Sequence, residues 1–267
     1  MKYSFMSFST PALSLEDMLA LAGRLGYDGI EPRLDAGHAH GVEAAAGTPE
    51  RQKIRDAFRA SGVAPACLAT SCRLAVPATA AEMVAEAHDR IDLAGDVGAP
   101  AIRVFGGAFG EDVSREQAID QMVASLSDLA DHAADRGVRI CFETHDAWCD
   151  PRHVAEVLRR VDHPAAAANW DVMHPVRGGL ATIDESFELL RPWIGHLHVH
   201  DGAERDGKAA LVPIGTGQID HKRVIELLKT IPFEGFLSGE WINWEPYETH
   251  LPREIETLRA FERELAD

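Results

Sequence analysis

Short apolar segments alternate with longer segments of helical periodicity along the chain. The first apolar segment covers residues 3–8, and residues 15–25 follow it with apolar positions spaced three and four apart. That spacing predicts an amphipathic helix, whereas the short apolar segments predict buried strands. The same order repeats through the sequence. The predicted strands cover residues 3–8, 28–31, 63–69, 101–105, 138–143, 166–171, 194–200 and 235–240.

Capping residues and glycines mark the ends of the predicted helices. Ser14 and Ser114 stand where an N-cap serine is expected, and a helix commonly ends at a glycine. Asp150 precedes Pro151, and proline is favoured in the first helical turn. The predicted helices cover residues 15–25, 48–61, 79–97, 182–190 and 248–265, and three more begin after Ser114, Asp150 and Asp220.

Eight strand-then-helix units predict an α/β protein. Parallel strands covered by helices on both faces are almost continuously apolar, as these are. Eight such units within about 250 residues are typical of a (β/α)8 TIM barrel. No linker divides the sequence, so we expect one domain over residues 1–267. A doubly wound open sheet is the alternative, but it normally needs a glycine-rich dinucleotide loop after the first strand, where residues 9–11 are Ser-Thr-Pro.

The composition narrows the classes of partner. The chain carries 26 basic and 43 acidic residues, giving a net charge of −17. Because nucleic acids and anionic membranes attract basic surfaces, neither is expected as a partner. No apolar run approaches the ~20 residues that span a bilayer, and residues 1–8 lack the features of a signal peptide. We therefore expect a cytoplasmic protein, whose four cysteines are reduced packing residues.

Acidic residues and histidines stand at the ends of four consecutive predicted strands. Glu143 and Asp171 end the fifth and sixth strands, and Glu240 ends the eighth. The seventh supplies His198 and His200. A strand-end carboxylate alone is usually solvated or caps a helix, but barrel active sites form at these ends. If three carboxylates were buried there without a cation, each would cost free energy through desolvation and through repulsion by the others. We expect one divalent ion, with Mn²⁺ favoured over Mg²⁺, Co²⁺ and Zn²⁺.

Three histidines alternate along the seventh strand. Because side chains alternate between the faces of a strand, His196, His198 and His200 lie on one side of it. A strand histidine is more often a hydrogen-bonded core residue than a metal ligand. We expect His196 to be buried one layer deeper than His198, and His200 to lie above the metal.

Four motifs, taken in order, resemble the xylose isomerase-like barrels. They are Phe142–His145, Asn169–His174, His198–Asp201 and Gly239–Trp241. More narrowly, their order is similar to that of the sugar phosphate isomerase/epimerase family, which includes ketose 3-epimerases and hydroxypyruvate isomerase. The resemblance covers the whole chain. It implies a metal-dependent enzyme that isomerises or epimerises a small keto- or hydroxy-sugar.

The resemblance also implies which residues hold the metal. They are Glu143, Asp171, His198 and Glu240, and His198 is selected because the family's ligand histidine lies three residues before an aspartate, here Asp201. A metal chelated by a carbonyl and its neighbouring hydroxyl acidifies the C–H between them and stabilises an enediolate. Glu143 and Glu240 are the expected catalytic pair, which would remove and return the proton from opposite faces.

Five further residues are expected to bind the substrate. His174 and His200 lie near the expected metal, and His145 points into the same mouth. Arg205 stands close to the position of an arginine that helps to hold the substrate in ketose epimerases, offset from it by one residue. Trp241 would give a sugar ring an apolar wall. The expected partner is a small sugar, and a homo-oligomer is left open.

Three other functions stay open. Proton removal beside a carbonyl, followed by loss of a β-substituent, would make the chain a lyase on the same scaffold. A non-catalytic barrel that binds metal or sugar is a second alternative. The third is an endonuclease-IV-like nuclease, which needs additional histidines after the third and fourth strands. Residues 69–72 and 105–107 contain none.

Overall fold

Within the described residues, nine parallel strands form a nearly closed barrel with helices around its outside. The computed structural model describes residues 1–108, 110, 112–205 and 208–266, and for residues 205, 208 and 209 it describes the backbone alone. The strands are β1 (Tyr3–Met6), β2 (Gly29–Glu31), β3 (Ala64–Pro65), β4 (Leu68–Arg73), β5 (Ala101–Phe105), β6 (Arg139–Glu143), β7 (Ala166–Asp171), β8 (Ile194–Val199), β9 (Asp201–Arg205), β10 (Lys208–Val212) and β11 (Leu237–Gly239). The predicted α/β TIM barrel is confirmed.

The barrel closes between the ends of β2 and β4. The sheet order is β3-β2-β1-β11-β8-β7-β6-β5-β4, and Arg33, just past β2, forms a parallel bridge with Ala69. The Leu34 N–H donates to the Ala69 carbonyl (2.9 Å), and the Ala69 N–H donates to the Pro32 carbonyl (3.0 Å). The third predicted strand, residues 63–69, is therefore divided, because β3 pairs with β2 and β4 pairs with β5. The antiparallel hairpin of β9 and β10 lies in a predicted loop.

The two serines predicted as N-caps cap helices in the structure. Ser14 Oγ accepts a hydrogen bond from the Asp17 N–H (3.1 Å), and Ser114 Oγ accepts one from the Gln117 N–H (3.2 Å). The helices are α1 (Leu15–Leu25), α2 (Thr48–Ser61), α3 (Ala80–Val97), α4 (Arg115–Asp135), α5 (Pro151–Val161), α6 (Met173–Arg177), α7 (Ile183–Leu190), α8 (His221–Leu228) and α9 (Tyr247–Glu264). In the part of the chain that the structure describes, no helix combines the length and apolar character that a membrane crossing requires.

Small side chains fill the amino-terminal layer of the barrel interior. Cys67, Ala101, Cys141 and Ala167 form a buried cluster apart from the main apolar core. A Cβ at Gly195 would lie 2.9 Å from the Ala167 Cβ, so glycine is required there. Strand residues two positions further on face the same side. Those on β5, β6 and β7 are polar and buried, namely Arg103, Glu143 and Asn169. A polar layer, which includes charged side chains, therefore lies directly above the small one.

Asp201 anchors the loop that follows the β9–β10 hairpin. Its carboxylate is buried and accepts four backbone hydrogen bonds. The N–H groups of Gly202 (2.9 Å) and Ile219 (3.1 Å) donate to Oδ1, and those of Gly215 (3.0 Å) and Gly217 (2.9 Å) donate to Oδ2. The aspartate of the His198–Asp201 motif thus has a structural role, because it holds this loop against the barrel.

Replacing Asp201 by asparagine should destabilise the fold. The amide would turn N–H donors toward backbone N–H groups, so at least two hydrogen bonds to a buried charge would be lost. We expect the free energy of unfolding, measured by urea denaturation, to fall by about 2–3 kcal/mol. The control is Asp184→Asn, which removes the exposed ion pair with Arg223 and should cost less than about 1 kcal/mol. Equal losses in the two variants would contradict the structural role.

Candidate metal centre and active site

Four buried side chains meet at the carboxyl ends of four strands. Glu143 and Asp171 are the last residues of β6 and β7, His198 lies in β8, and Glu240 directly follows β11. One possible ligand atom from each lies within 4.8 Å of the others. The strand register sets their common depth, because Asp171 is aligned with His198, and His198 with Ser238. The structure brings together the four residues that were predicted to bind a metal.

The imidazole of His198 is surrounded by carboxylates. Its Nδ1 lies 2.8 Å from Glu143 Oε1 and 3.4 Å from Glu240 Oε2, and its Nε2 lies 3.2 Å from Glu31 Oε1. Burial alone would lower the pKa of His198, but these three carboxylates outweigh it and raise that pKa well above its ordinary value. Burial also opposes ionisation of Glu240, yet His198 and His200 lower the pKa of Glu240 to about 2. The cluster is therefore held together by charge.

The donor set fits a divalent cation. Glu143 Oε2 and Asp171 Oδ2 are buried. Each lies near one nitrogen, Arg103 Nε at 3.2 Å and His200 Nε2 at 2.8 Å, but among the described residues neither oxygen accepts a well-aligned hydrogen bond. The other oxygen of Asp171 accepts hydrogen bonds from the backbone N–H groups of Met173 and His174, both at 2.9 Å, which fix the orientation of the carboxylate. Buried carboxylate oxygens whose hydrogen bonding is incomplete are costly, and a bound cation would reduce that cost. Three carboxylates and one imidazole match the hard and borderline divalent ions.

Glu31 is a buried acid that the sequence analysis did not select. It ends β2, and its Oε2 lies 2.8 Å from His196 Nε2 while its Oε1 contacts His198. Burial alone would raise the pKa of Glu31, but the two imidazoles lower it well below its ordinary value. A carboxylate on the far nitrogen of a ligand histidine fixes the tautomer and the ring orientation. The strand-end rule, applied to the second strand, would have found Glu31.

Arg103 is a second site residue that the sequence analysis missed. Its side chain is buried inside the barrel, where Nη1 donates to the Thr70 carbonyl (2.8 Å). Its Nε lies 3.2 Å from Glu143 Oε2, and its guanidinium carbon lies 3.9 Å from the centre of the Phe105 ring. The sequence feature that could have pointed to Arg103 is the presence of a single arginine within the apolar strand 101–105. Arg103 therefore balances part of the negative charge of the cluster.

A row of histidines connects the cluster to the barrel rim. His200 is buried, with Nε2 2.8 Å from Asp171 Oδ2 and Nδ1 3.0 Å from the Glu240 carbonyl. Burial alone would lower the pKa of His200, but Asp171 raises it to about 9. The ring of His174 packs edge-on against His200 (5.6 Å between centroids) and against His145 (4.6 Å). The side chains of His174 and His145 are 18% and 29% exposed, so polar groups face the mouth.

Trp241 and Arg205, the other two residues predicted to bind the substrate, are not part of this row of histidines. Trp241 is buried and packs edge-on against His250, with 5.1 Å between the ring centroids. The side chain of Arg205 lies outside the described residues. The substrate roles of Trp241 and Arg205 stay predictions. His196 is buried, as expected, and its partner there is Glu31.

The Glu31→Gln variant should bind a divalent metal more weakly. Glutamine lacks the charge that holds His198 through Nε2, so we expect Mn²⁺ affinity to fall about 10–100-fold in isothermal titration of the chelator-treated chain. The matched control is Glu254→Gln. Glu254 is equally buried but accepts a hydrogen bond from the Ile214 N–H (2.8 Å), outside the cluster. If the folded Glu31→Gln variant binds Mn²⁺ as the wild type does, Glu31 has no part in ligand orientation.

Comparison with known proteins gives a family match over most of the chain. Residues 19–261 match the model of a family described as "Xylose isomerase-like TIM barrel". Among curated proteins, a 3-dehydroshikimate dehydratase from Bacillus anthracis is 24% identical over 260 residues, which are 90% of this chain and 91% of that protein. The match is therefore not confined to the site motifs.

Solved structures share the whole barrel. A probable 3-DHS dehydratase from Bacillus anthracis superposes with a TM-score of 0.80 at 22% identity, covering 97% of this chain and 99% of that one. A 3-keto-D-glucoside 4-epimerase from E. coli gives 0.78 at 15% identity, with the same coverages. A xylose isomerase-like TIM barrel protein from Mycobacterium smegmatis, in complex with magnesium, gives 0.75 at 17% identity, covering 99% and 96%. These similarities show a common fold.

Proposed function

Because this chain belongs to the xylose isomerase-like TIM barrel family, we propose that it is a divalent-metal-dependent enzyme that isomerises or epimerises a small keto- or hydroxy-sugar. The observation that carries the proposal is the buried cluster of Glu143, Asp171, His198 and Glu240. Two of its glutamates contact the same imidazole nitrogen from different strands. Such a pair suits a reaction in which a proton leaves one face of a carbon and returns to the other.

The two glutamates would carry the proton transfers. When bound by these residues, Mn²⁺ or another divalent ion would acidify the C–H between a carbonyl and a hydroxyl of the substrate. His198 and His200 lower the pKa of Glu240, so this glutamate is ionised at neutral pH, as a general base must be. Glu143 contacts the same His198 nitrogen from another strand and would return the proton or remove it in the reverse direction.

The histidines at the rim would orient the substrate. His145 and His174 are partly exposed and lie side by side, so they present ring nitrogens to oxygen atoms of a molecule in the mouth. His200 is fixed by Asp171 and by the backbone of Glu240. We assign His145 and His174 to the hydroxyl groups of the substrate and His200 to the position nearest the metal.

Dehydration is the second candidate reaction. It is favoured by the similarity to a 3-dehydroshikimate dehydratase over 90% of this chain. The first step would be the same proton removal beside a carbonyl. The electron pair would then expel a β-hydroxyl as water, and His145 or His174 would donate the proton that the leaving group requires.

Proton exchange separates the two reactions. The Mn²⁺-loaded chain would be incubated in D₂O with ketoses, inososes, hydroxypyruvate and 3-dehydroshikimate, and followed by NMR. The proposal predicts incorporation of deuterium beside the carbonyl, together with the isomer or epimer. Formation of an unsaturated product with release of water would replace the isomerase proposal by the dehydratase. If no compound exchanges while the metal is bound, the two-glutamate chemistry is wrong for these substrates.

The Glu240→Gln variant should lose catalysis through loss of one base. We expect kcat on a verified substrate to fall about 10²–10⁴-fold. Metal content is measured in parallel, because Glu240 is also an expected ligand. Glu245→Gln is the control, since Glu245 pairs with Arg253 outside the cluster. Full activity in metal-loaded Glu240→Gln would show that this glutamate does not move a proton.

A further inference from the structure

Arg33 lies at the same end of the barrel as the proposed metal ligands. Its backbone forms the bridge that closes the barrel, and its N–H donates to Ser7 Oγ (2.8 Å). The half-buried guanidinium reaches from the end of β2 toward β4. There Nη1 donates to the carbonyls of Leu34 and Ala69, and Nη2 donates to Ser71 Oγ (2.7 Å). These contacts hold the guanidinium in one place at the mouth.

No carboxylate neutralises Arg33 within the described ranges of the chain. Asp35 and Glu240 are the two acidic residues that interact electrostatically with the Arg33 guanidinium. Asp35 is paired with Arg90 at 3.1 Å, and Glu240 faces His198. A guanidinium has five N–H donors, and the three hydrogen bonds of Arg33 leave Nε–H and one N–H on Nη2. Those two donors suffice for a two-point contact with an anion.

The surroundings of Arg33 favour an anion further. Burial and the neighbouring guanidinium of Arg103 lower the pKa of Arg33 to about 10, so it stays charged at neutral pH beside another cation. Phe8 covers one side, with its ring centre 6.0 Å from the guanidinium carbon. Burial and Arg33 lower the pKa of His38, which keeps that ring neutral. A half-buried cation without an acidic partner is costly, and an anionic ligand would remove that cost.

From these contacts we infer that Arg33 is an anion-binding residue, and that the substrate carries a carboxylate or a phosphate group in addition to its carbonyl and hydroxyl. The inference rests on the proposed function, because it places this group beside the proposed metal cluster. The three carboxylates of that cluster repel an anion, so the charged group of the substrate would be directed away from them and toward Arg33. The subsite therefore fixes which end of the substrate faces the glutamates.

Two matched pairs of probes test the subsite on the full Mg²⁺-loaded chain. One pair is 3-dehydroshikimate and its methyl ester, and the other is dihydroxyacetone phosphate and dihydroxyacetone. The members of each pair share a carbonyl with a neighbouring hydroxyl and differ in whether they carry the anion. Isothermal titration should show at least one anion binding about tenfold or more tightly than its neutral partner. The pair in which this happens distinguishes a carboxylate from a phosphate.

Substitutions then assign the preference to one residue. Arg33→Gln should abolish it, and Arg33→Lys, which keeps the charge, should restore part of it. The control is Arg177→Gln, which replaces an exposed arginine in α6 that also follows a strand end. This variant should leave the anion preference unchanged. Equal binding within both pairs by the wild type, or a preference that survives in Arg33→Gln, would overturn the inference.

Proton exchange in D₂O, followed in the same samples, tests the reaction separately. An anion preference without exchange supports the subsite and contradicts the proposed function.

Discussion

The burial of four carboxylates around one imidazole is the interaction on which the barrel mouth depends. Glu31, Glu143 and Glu240 all contact His198, and Asp171 completes the group through His200. Each ionised carboxylate loses hydration inside the barrel, and their mutual repulsion adds to that cost. The nearby imidazoles and a buried arginine offset part of it. A divalent cation would offset much of the remainder, which supports the proposal that the cluster binds a metal.

The scaffold fits this constraint. Small residues occupy the layer below the charges, and Gly195 leaves no room for a Cβ, so the strands approach closely there. The apolar core lies mainly between the strands and the helices, and it supplies most of the hydrophobic stabilisation. Asp201 ties the following loop to the barrel by four backbone hydrogen bonds. The packing of the outer shell therefore offsets the cost of the buried charges in the barrel interior.

Much of the fold and of the cluster followed from the sequence, because both obey short-range rules. Alternating periodicities predicted the barrel, and the rule that barrel sites lie at strand ends selected Glu143, Asp171 and Glu240. Glu31 also ends a strand, but β2 lies three places from β8 in the sheet order, so its contact with His198 crosses the barrel interior and depends on barrel curvature rather than on neighbouring positions in the sequence. Arg103 was missed because one arginine in an apolar strand does not indicate what it faces. The division of the predicted strand 63–69 between β3 and β4 was missed as well, because it depends on where the barrel closes.

Anomalous scattering can show whether a divalent cation binds among Glu143, Asp171, His198 and Glu240. Crystals of the chain soaked in Mn²⁺ would be measured on both sides of the manganese absorption edge. We expect one strong anomalous peak surrounded by these four side chains, at about 2.0–2.3 Å from their ligand atoms. A saturating soak that leaves the cluster without a peak, or places manganese only at the protein surface, would contradict it.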